Sequence, residues 1–199
     1  MKQRHTILST AYLPSIQYFQ SLLDYKYVYI ELNENYKRHT SSNRTKILGA
    51  NGVILLSVPI KKKSSKTTIK NIKIANESWK KKHIHSIQSA YGSSPFFIHY
   101  FDNLKKIINN NHEYLIDLNN EILNYFIHEM NITKKIHYTD RYYQKYSSLF
   151  LDQRNEKKKY KQKAYQQVFG TKYIINLSII DLMFNLGPNA KEHISPTIG

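Results

Sequence analysis

The chain of 199 residues contains no cysteine. Disulfide bonds, thiolate zinc sites and a cysteine nucleophile are therefore excluded. Histidine does not replace it as a metal ligand, because His83 and His85 diverge when they lie on a helix. We expect neither a metal nor a cofactor. The glycine-rich patterns G-x-x-x-x-G-K and G-x-G-x-x-G are also missing, so phosphate binding by loops of those kinds is not predicted.

Long apolar runs are absent as well. No stretch approaches the roughly 18 apolar residues that a membrane-spanning helix requires. The first apolar stretch, residues 7–13, is interrupted by Ser9 and Thr10 and ends before Pro14. It is too short and too polar for a secretory signal. We therefore expect a soluble, cytoplasmic protein.

Arginine is scarce, although the chain is strongly basic. There are 25 lysines and 5 arginines against 14 acidic residues, which gives a formal net charge of +16. Lysine, asparagine, isoleucine and tyrosine share A/T-rich codons, so a genome drifting toward A and T would produce this composition without selection for DNA binding. Arginine is the residue best suited to forked contacts with phosphates and bases. A nucleic-acid partner is not expected, while a role of part of the charge in binding an anionic ligand stays open.

Apolar periodicity predicts an α/β fold in a single domain covering residues 1–199, with α+β as the alternative. We expect a small, mostly parallel sheet flanked by helices, with more helix toward the C-terminus. Strands are predicted at residues 7–9, 27–30, 53–58, 69–74 and 136–138, and helices at 15–23, 79–91, 96–108 and 113–130. The charged segment near 152–163 is predicted to be mobile, and Asp152 and Arg154 are predicted to form a local ion pair.

The segment 176–188 predicts a short, almost wholly apolar helix that ends at Gly187 and Pro188. Three polar residues, Ser178, Asp181 and Asn185, fall at i, i+3 and i+7 and form one stripe. A buried carboxylate needs hydrogen bonds or a cation, so Asp181 is predicted to face a ligand or a basic side chain. Alternatively, Ser178 and Asp181 form a capping box, which leaves Asn185 unexplained.

Several blocks of the chain resemble the WbqC-like protein family, named from bacterial clusters that make surface polysaccharide. The blocks are Tyr12-Leu13-Pro14 with Tyr18-Phe19; Asn35-Tyr36-Lys37, Asn43-Arg44, Gly49-Ala50-Asn51-Gly52 and Val58-Pro59; Trp79, His83, Ala90-Tyr91 and Ser94-Pro95-Phe96-Phe97; and Tyr165-x-Gln167 and Phe169 with the segment 176–188. The resemblance runs from about residue 7 to 190. Ala164 and Ile175 stand where members often have proline, and a glycine-rich segment of longer members is missing, so the chain resembles a short form. The resemblance implies a role in O-antigen-type polysaccharide synthesis, either as an enzyme such as a transferase or as an accessory factor.

The start of the chain places a candidate ligand site at the carboxyl edge of the sheet. The loop 10–14 follows the first predicted strand and the polar stretch 33–44 follows the second, and such ends lie side by side in a parallel sheet. A helix beginning near Ser15 favours an anion there, and Lys37 and Arg44 add positive charge. We expect an anionic small molecule, such as a nucleotide sugar or an acyl donor. Asn43 and Arg44 could instead tie down the loop.

The candidate residues follow from these arguments and from the resemblance. The candidate catalytic residues are Asp181 and His83. His83 shares a helix face with Trp79, which equally predicts a hydrogen-bonded core histidine, and Gln167 could also be structural. The candidate substrate-binding residues are Tyr12, Lys37, Asn43, Arg44, Tyr165, Gln167, Ser178 and Asn185. The oligomeric state is not predicted.

Overall fold

A computed structural model of the chain describes residues 5–62, 64, 66–142, 147–154 and 160–195. Its main sheet has four strands in the order β5-β2-β1-β6, and every neighbouring pair is parallel. These strands are β1 (His5–Ser9), β2 (Tyr27–Glu31), β5 (Ile136–Tyr138) and β6 (Phe150–Asp152). A separate antiparallel hairpin consists of β3 (Arg44–Gly49) and β4 (Gly52–Ser57). The predicted α/β class with a mostly parallel sheet is confirmed.

Six α-helices accompany the sheet in the described part of the chain. They are α1 (Ile16–Asp24), α2 (Ser78–Tyr91), α3 (Phe97–Asn109), α4 (Leu115–Glu129), α5 (Ile179–Leu186) and α6 (Ala190–Ile194), with 3-10 turns at Ile69–Asn71 and Gly187–Asn189. The three longest helices follow one another between residues 78 and 129. No helix in the described ranges is both long enough and apolar enough to cross a membrane.

The unit β1-α1-β2 forms because its signals are local. Ser15 caps α1, with its hydroxyl accepting the backbone N–H of Tyr18 at 3.2 Å. The apolar spacing in α1 buries Ile16, Phe19 and Leu22, and the β-branched and aromatic residues of β2 suit a pleated strand. The chain therefore returns parallel to β1, in register from residue 5 opposite 27 to residue 9 opposite 31.

One predicted strand is wrong. Residues 69–74 form a 3-10 turn at Ile69–Asn71, followed by isolated bridges at Ile74 and Lys73. The buried residues Ile69 and Ile72 are three apart, which matches the 3-10 repeat of three residues per turn rather than strand alternation. The Ile69 N–H bonds to the Glu34 carbonyl instead of joining a sheet ladder.

Two strands escaped prediction. β3 begins with Arg44, Thr45 and Lys46, which carry no apolar alternation, and it forms because β4 pairs with it across a turn at residues 50–51. Gly52 serves that turn with a φ of 108°. β6 has three residues and pairs with β1 from far along the chain. Of the segment 152–163 that was predicted to be mobile, residues 155–159 lie outside the described residues.

Candidate functional site

A cleft of about 510 Å³ opens where the loop after β1 meets the β3-β4 hairpin. The loop contributes Tyr12, Leu13 and Pro14, and α1 contributes its capping residue Ser15. The polar stretch after β2 contributes its far end, and Ser178 closes another side. The cleft thus lies beside the carboxyl ends of β1 and β2, as the sequence predicted.

The backbone around the cleft is strained at three positions. Leu13, His39 and Asn176 have φ angles of 42°, 62° and 54°, and all three line the cleft. Elsewhere in the described residues, only Asn131 among the non-glycines has a positive φ. Such conformations persist where surrounding contacts over-determine them, and they cluster at ligand sites. The strain therefore marks the cleft as the candidate site.

Ser178 holds the strained loop in place. Its hydroxyl donates to the Leu13 carbonyl at 3.0 Å, and Thr45 Oγ1 donates to the same carbonyl at 2.8 Å. The Ser178 N–H bonds to the Lys46 carbonyl at 2.8 Å. Ser178 also caps α5, because its oxygen accepts the Ile180 N–H at 3.5 Å. It therefore fastens the loop to the hairpin and to α5.

Positive charge collects on this cleft. Arg44 is half-buried, and its Nε is buried without a hydrogen-bond partner among the described residues. Lys46 and His39 line the cleft and are exposed. The first turn of α1 begins at Ser15 beside them, and the helix dipole favours an anion there. The backbone N–H groups of Ile16, Gln17 and Tyr18 already bond to the Leu177 carbonyl, Asn176 Oδ1 and Ser15 Oγ. The arrangement suits a phosphate or carboxylate.

Arg154 adds a second guanidinium, which is held by acids. Its Nε and Nη2 donate to the two oxygens of Asp152 at 2.9 and 2.7 Å, and Glu31 lies 3.9 Å from Nη1. Only 8% of the side chain is exposed. The ion pair with Asp152 was predicted from the sequence, but its burial was not, because β6 brings it to the edge of the cleft.

Sequence reasoning missed two acids at the end of β2. Glu31 is fully buried, and its carboxylate accepts the Thr139 hydroxyl at 2.7 Å. Glu34 lines a cavity of about 30 Å³ that adjoins the cleft. Burial raises the pKa of Glu34, while a hydrogen bond from Ser9 and the charge of Arg154 oppose the rise. Glu31 and Glu34 could have been identified from the sequence by their position at the end of a predicted strand, beside a predicted ligand loop.

Unlike Arg44, the predicted binding residues Lys37 and Asn43 do not line the cleft. Lys37 is exposed and lines the small adjoining cavity with Glu34 rather than the main cleft. The Asn43 side chain donates to the Val58 carbonyl at 2.8 Å, and the Val58 N–H returns a bond to the Asn43 carbonyl at 2.9 Å. Asn43 ties the base of the hairpin, as the alternative reading of the sequence anticipated.

His83 lies behind the cleft wall. The buried Tyr12 lines the cleft, and its hydroxyl lies 2.9 Å from His83 Nδ1. The Trp79 ring meets the imidazole edge-on at 5.0 Å. Burial lowers the pKa of His83 to about 4, against an ordinary value of 6.5, so the ring is neutral near pH 7. His83 does not line the cleft and has the geometry of a core histidine.

His83 should make the fold sensitive to mild acid. The unfolded chain binds a proton near pH 6.5 and the folded chain only near 4, so stability is complete above 6.5 and is lost as the pH falls toward 4. We expect His83→Gln to remove roughly 1–2 kcal/mol of the stability loss between about pH 7 and about pH 5. Urea unfolding at both pH values measures this. His85→Gln is the control, because His85 is an exposed residue of the same helix. An equal reduction of the stability loss in this variant would contradict the prediction.

Asp181 points away from the cleft into a cluster of neutral groups. It is fully buried, and its Oδ2 accepts the Tyr165 hydroxyl and Gln167 Nε2, the latter at 3.0 Å. Burial raises the pKa of Asp181, while hydrogen bonds from Tyr165, Gln167 and Tyr91 oppose the rise. Neither Arg44 nor Lys37 contacts it among the described hydrogen bonds and ion pairs. The carboxyl group therefore serves as an internal acceptor.

The remaining predicted residues belong to the same cluster or to the helix itself. Gln167 also bonds the N–H and the carbonyl of Ile174, at 2.9 and 3.0 Å, so it holds the segment before α5. Asn185 donates to the Asp181 carbonyl at 2.7 Å, one helical turn back. Tyr165 and Gln167 line a separate shallow cavity of about 330 Å³. Of the ten predicted site residues, the cleft brings together Tyr12, Arg44 and Ser178.

Comparison with known proteins gives one result. The sequence profile of the WbqC-like protein family matches residues 10–156. This range includes the loop after β1, the hairpin and α2–α4, and it stops before the segment 165–188. No curated protein and no solved structure matches the chain. Because the matched range is well over half of the sequence, the chain belongs to the WbqC-like protein family.

Proposed function

We propose that this protein binds a phosphate-bearing small molecule in the cleft and acts in the cytoplasmic synthesis of cell-surface polysaccharide of the O-antigen type. The observation that carries the proposal is the partnerless Nε of Arg44 beside the N-terminus of α1. A guanidinium donates in a planar fork that matches the oxygens of a phosphate. Membership of the family supports the pathway, and the positive charge of the cleft supports the class of ligand.

The size and position of the cleft support this ligand class. Its volume of about 510 Å³ falls within the range of small-molecule sites. The carboxyl edge of a parallel sheet is where α/β proteins place ligands. The bound phosphate would lie at Arg44, with Lys46 and His39 at the open side of the cleft. The excess of lysine over acid draws anions toward it.

A non-catalytic binding protein of the same pathway is the second candidate. It is favoured by the positions of His83 and Asp181, since neither residue predicted to be catalytic lines the cleft. If the protein is instead an enzyme, catalysis would depend on other groups, such as His39 in the cleft or Glu34 in the adjoining cavity. Turnover of a labelled nucleotide sugar by the purified protein would distinguish an enzyme such as a transferase from a binding factor.

Arg44 should be essential for binding. Arg44→Gln removes the charge but keeps a polar side chain, so we expect phosphate-bearing ligands to bind about 10- to 100-fold more weakly, as for loss of a hydrogen bond to a charged group. Isothermal titration with nucleotides and nucleotide sugars measures the change. The same variant should fail to restore surface polysaccharide in a deletion strain.

Arg38→Gln is the matched control, because Arg38 is an exposed arginine of the same loop that does not line the cleft. It should bind and complement like the wild type. Equal weakening by both substitutions would indicate general attraction by the basic surface and would overturn the proposal. Retained binding and complementation by folded Arg44→Gln would overturn it as well.

A further inference from the structure

The hairpin presents cationic and apolar residues on one face. In its antiparallel register Lys46 lies opposite Leu55, and Leu48 opposite Val53. Directly opposed residues share a face, and so do residues two apart on one strand. Arg44, Lys46, Leu55 and Val53 therefore lie on the same face of the hairpin. The face that carries the cationic residues of the cleft therefore also carries aliphatic side chains, of which Leu55 lines the cleft.

The apolar part of this face is unusually open. Leu55 is 52% exposed and lines the cleft, and Val53 is 49% exposed. Ile54, which stands between them in the sequence, lies over Gly49 on the other face of the hairpin. A Cβ added to Gly49 would lie 2.5 Å from Ile54 Cδ1. Leu55 lies directly opposite Lys46, Val53 lies two residues away on the same strand, and about half of each of these aliphatic residues is exposed to water. They are available to a ligand that carries an apolar group near its charge.

We propose that the ligand of this cleft is a soluble phosphate ester with an aliphatic chain, whose phosphate lies at Arg44 and Lys46 and whose chain lies over Leu55 and Val53. This inference rests on the proposed function, since it names the kind of phosphate compound. It favours an acyl-bearing donor over a nucleotide sugar, because a sugar would leave Leu55 without an apolar partner. The short distance between charge and apolar residues, set by one cross-strand pair, fits a single small molecule.

A homologous series of ligands tests the inference. Ethyl, hexyl and decyl phosphate are titrated below their critical micelle concentrations, with inorganic phosphate as the headgroup alone and hexanol as the chain alone. We expect affinity to rise by up to about fourfold for each methylene that the hairpin covers. Leu55→Gln should remove this chain-length dependence, whereas Ile98→Gln, at an exposed isoleucine on α3, should not. If Leu55→Gln does not fold, Val53→Gln takes its place.

The outcomes separate this inference from the proposed function. Failure of every phosphate compound to bind would overturn both. Binding that is independent of chain length, or a chain-length dependence that survives Leu55→Gln, would overturn the aliphatic ligand and leave the phosphate site standing. Binding of decyl phosphate only when it is embedded in neutral lipid vesicles would show a membrane surface as the partner, which also contradicts a soluble ligand.

Discussion

Replacing Gly187 by alanine is expected to lower the free energy of unfolding by about 3–5 kcal/mol, because it combines backbone strain with a collision. Gly187 ends α5 with a φ of 54° and a ψ of −128°, a conformation that favours glycine. An added Cβ would lie 2.4 Å from Phe96 Cδ1. The backbone N–H of Phe96 bonds to the Phe184 carbonyl of α5 at 2.9 Å, which holds Phe96 beside the end of this helix. Urea unfolding of the purified variant measures the loss.

Gly52→Ala provides the matched control. Gly52 also has a positive φ, of 108°, but an added Cβ would meet no heavy atom within 4 Å. This substitution should cost only the backbone strain, about 1–2 kcal/mol. A similar loss for both variants would show that strain alone limits Gly187 and that the contact with Phe96 is unimportant.

Removing the Asp181 carboxyl group is expected to destabilise the protein by about 2–4 kcal/mol, because the Tyr165 hydroxyl loses its acceptor and a cavity is left at a fully buried site. In Asp181→Ala the Tyr165 hydroxyl would lose the acceptor of its hydrogen bond, while Gln167 Nε2 would keep the Ile174 carbonyl. Asp181→Asn should cost much less, since it keeps an oxygen for those donors and buries no charge. Both variants should bind phosphate ligands with normal affinity once folded, because Asp181 does not line the cleft. A folded Asp181→Asn that no longer binds would contradict the internal role.

The pH dependence of Asp181→Asn gives a second measurement. The pKa of Asp181 is raised above 3.8 in the folded chain, mainly by burial. The folded chain therefore binds the proton more tightly, and stability is lost as the pH rises from about 3.8 through the raised pKa. Asparagine does not titrate, so the variant should lack this loss and should gain stability relative to the wild type as the pH rises. An unchanged difference between the two proteins across this range would contradict the prediction.

The candidate site was predictable in part. The position of the cleft followed from the order of β1, α1 and β2, because each forms from local signals and parallel strands bring their carboxyl ends together. Helical spacing predicted one polar stripe from Ser178, Asp181 and Asn185, but it did not predict the partners of these residues. Ser178 faces the loop at Leu13, Asp181 faces Tyr165, and Asn185 bonds within the helix. Spacing along a helix predicts which residues share a face of the helix, but it does not predict which groups pack against that face.

The two candidate catalytic residues show the same limit. His83 lies on the helix face that the sequence indicated, beside Trp79 of the same helix, and Tyr12 packs against it. A histidine on an apolar face can serve catalysis or packing, and the choice depends on whether a cavity reaches it. The Tyr12 ring separates His83 from the cleft.

The sequence by itself determined the helices α1–α5, the strands β1, β2, β4 and β5, the start of α1 near Ser15 and the exclusion of cysteine chemistry, because apolar spacing acts within a few residues. Only the tertiary structure decided that Arg154 lies buried at the cleft, that β3 and β6 are strands, and that Ser178 holds the strained loop. Those contacts join distant parts of the chain, with Ser178 and Leu13 separated by 165 residues. Local sequence patterns do not predict such pairs, because the two residues interact only after the sheet and the hairpin have brought them together.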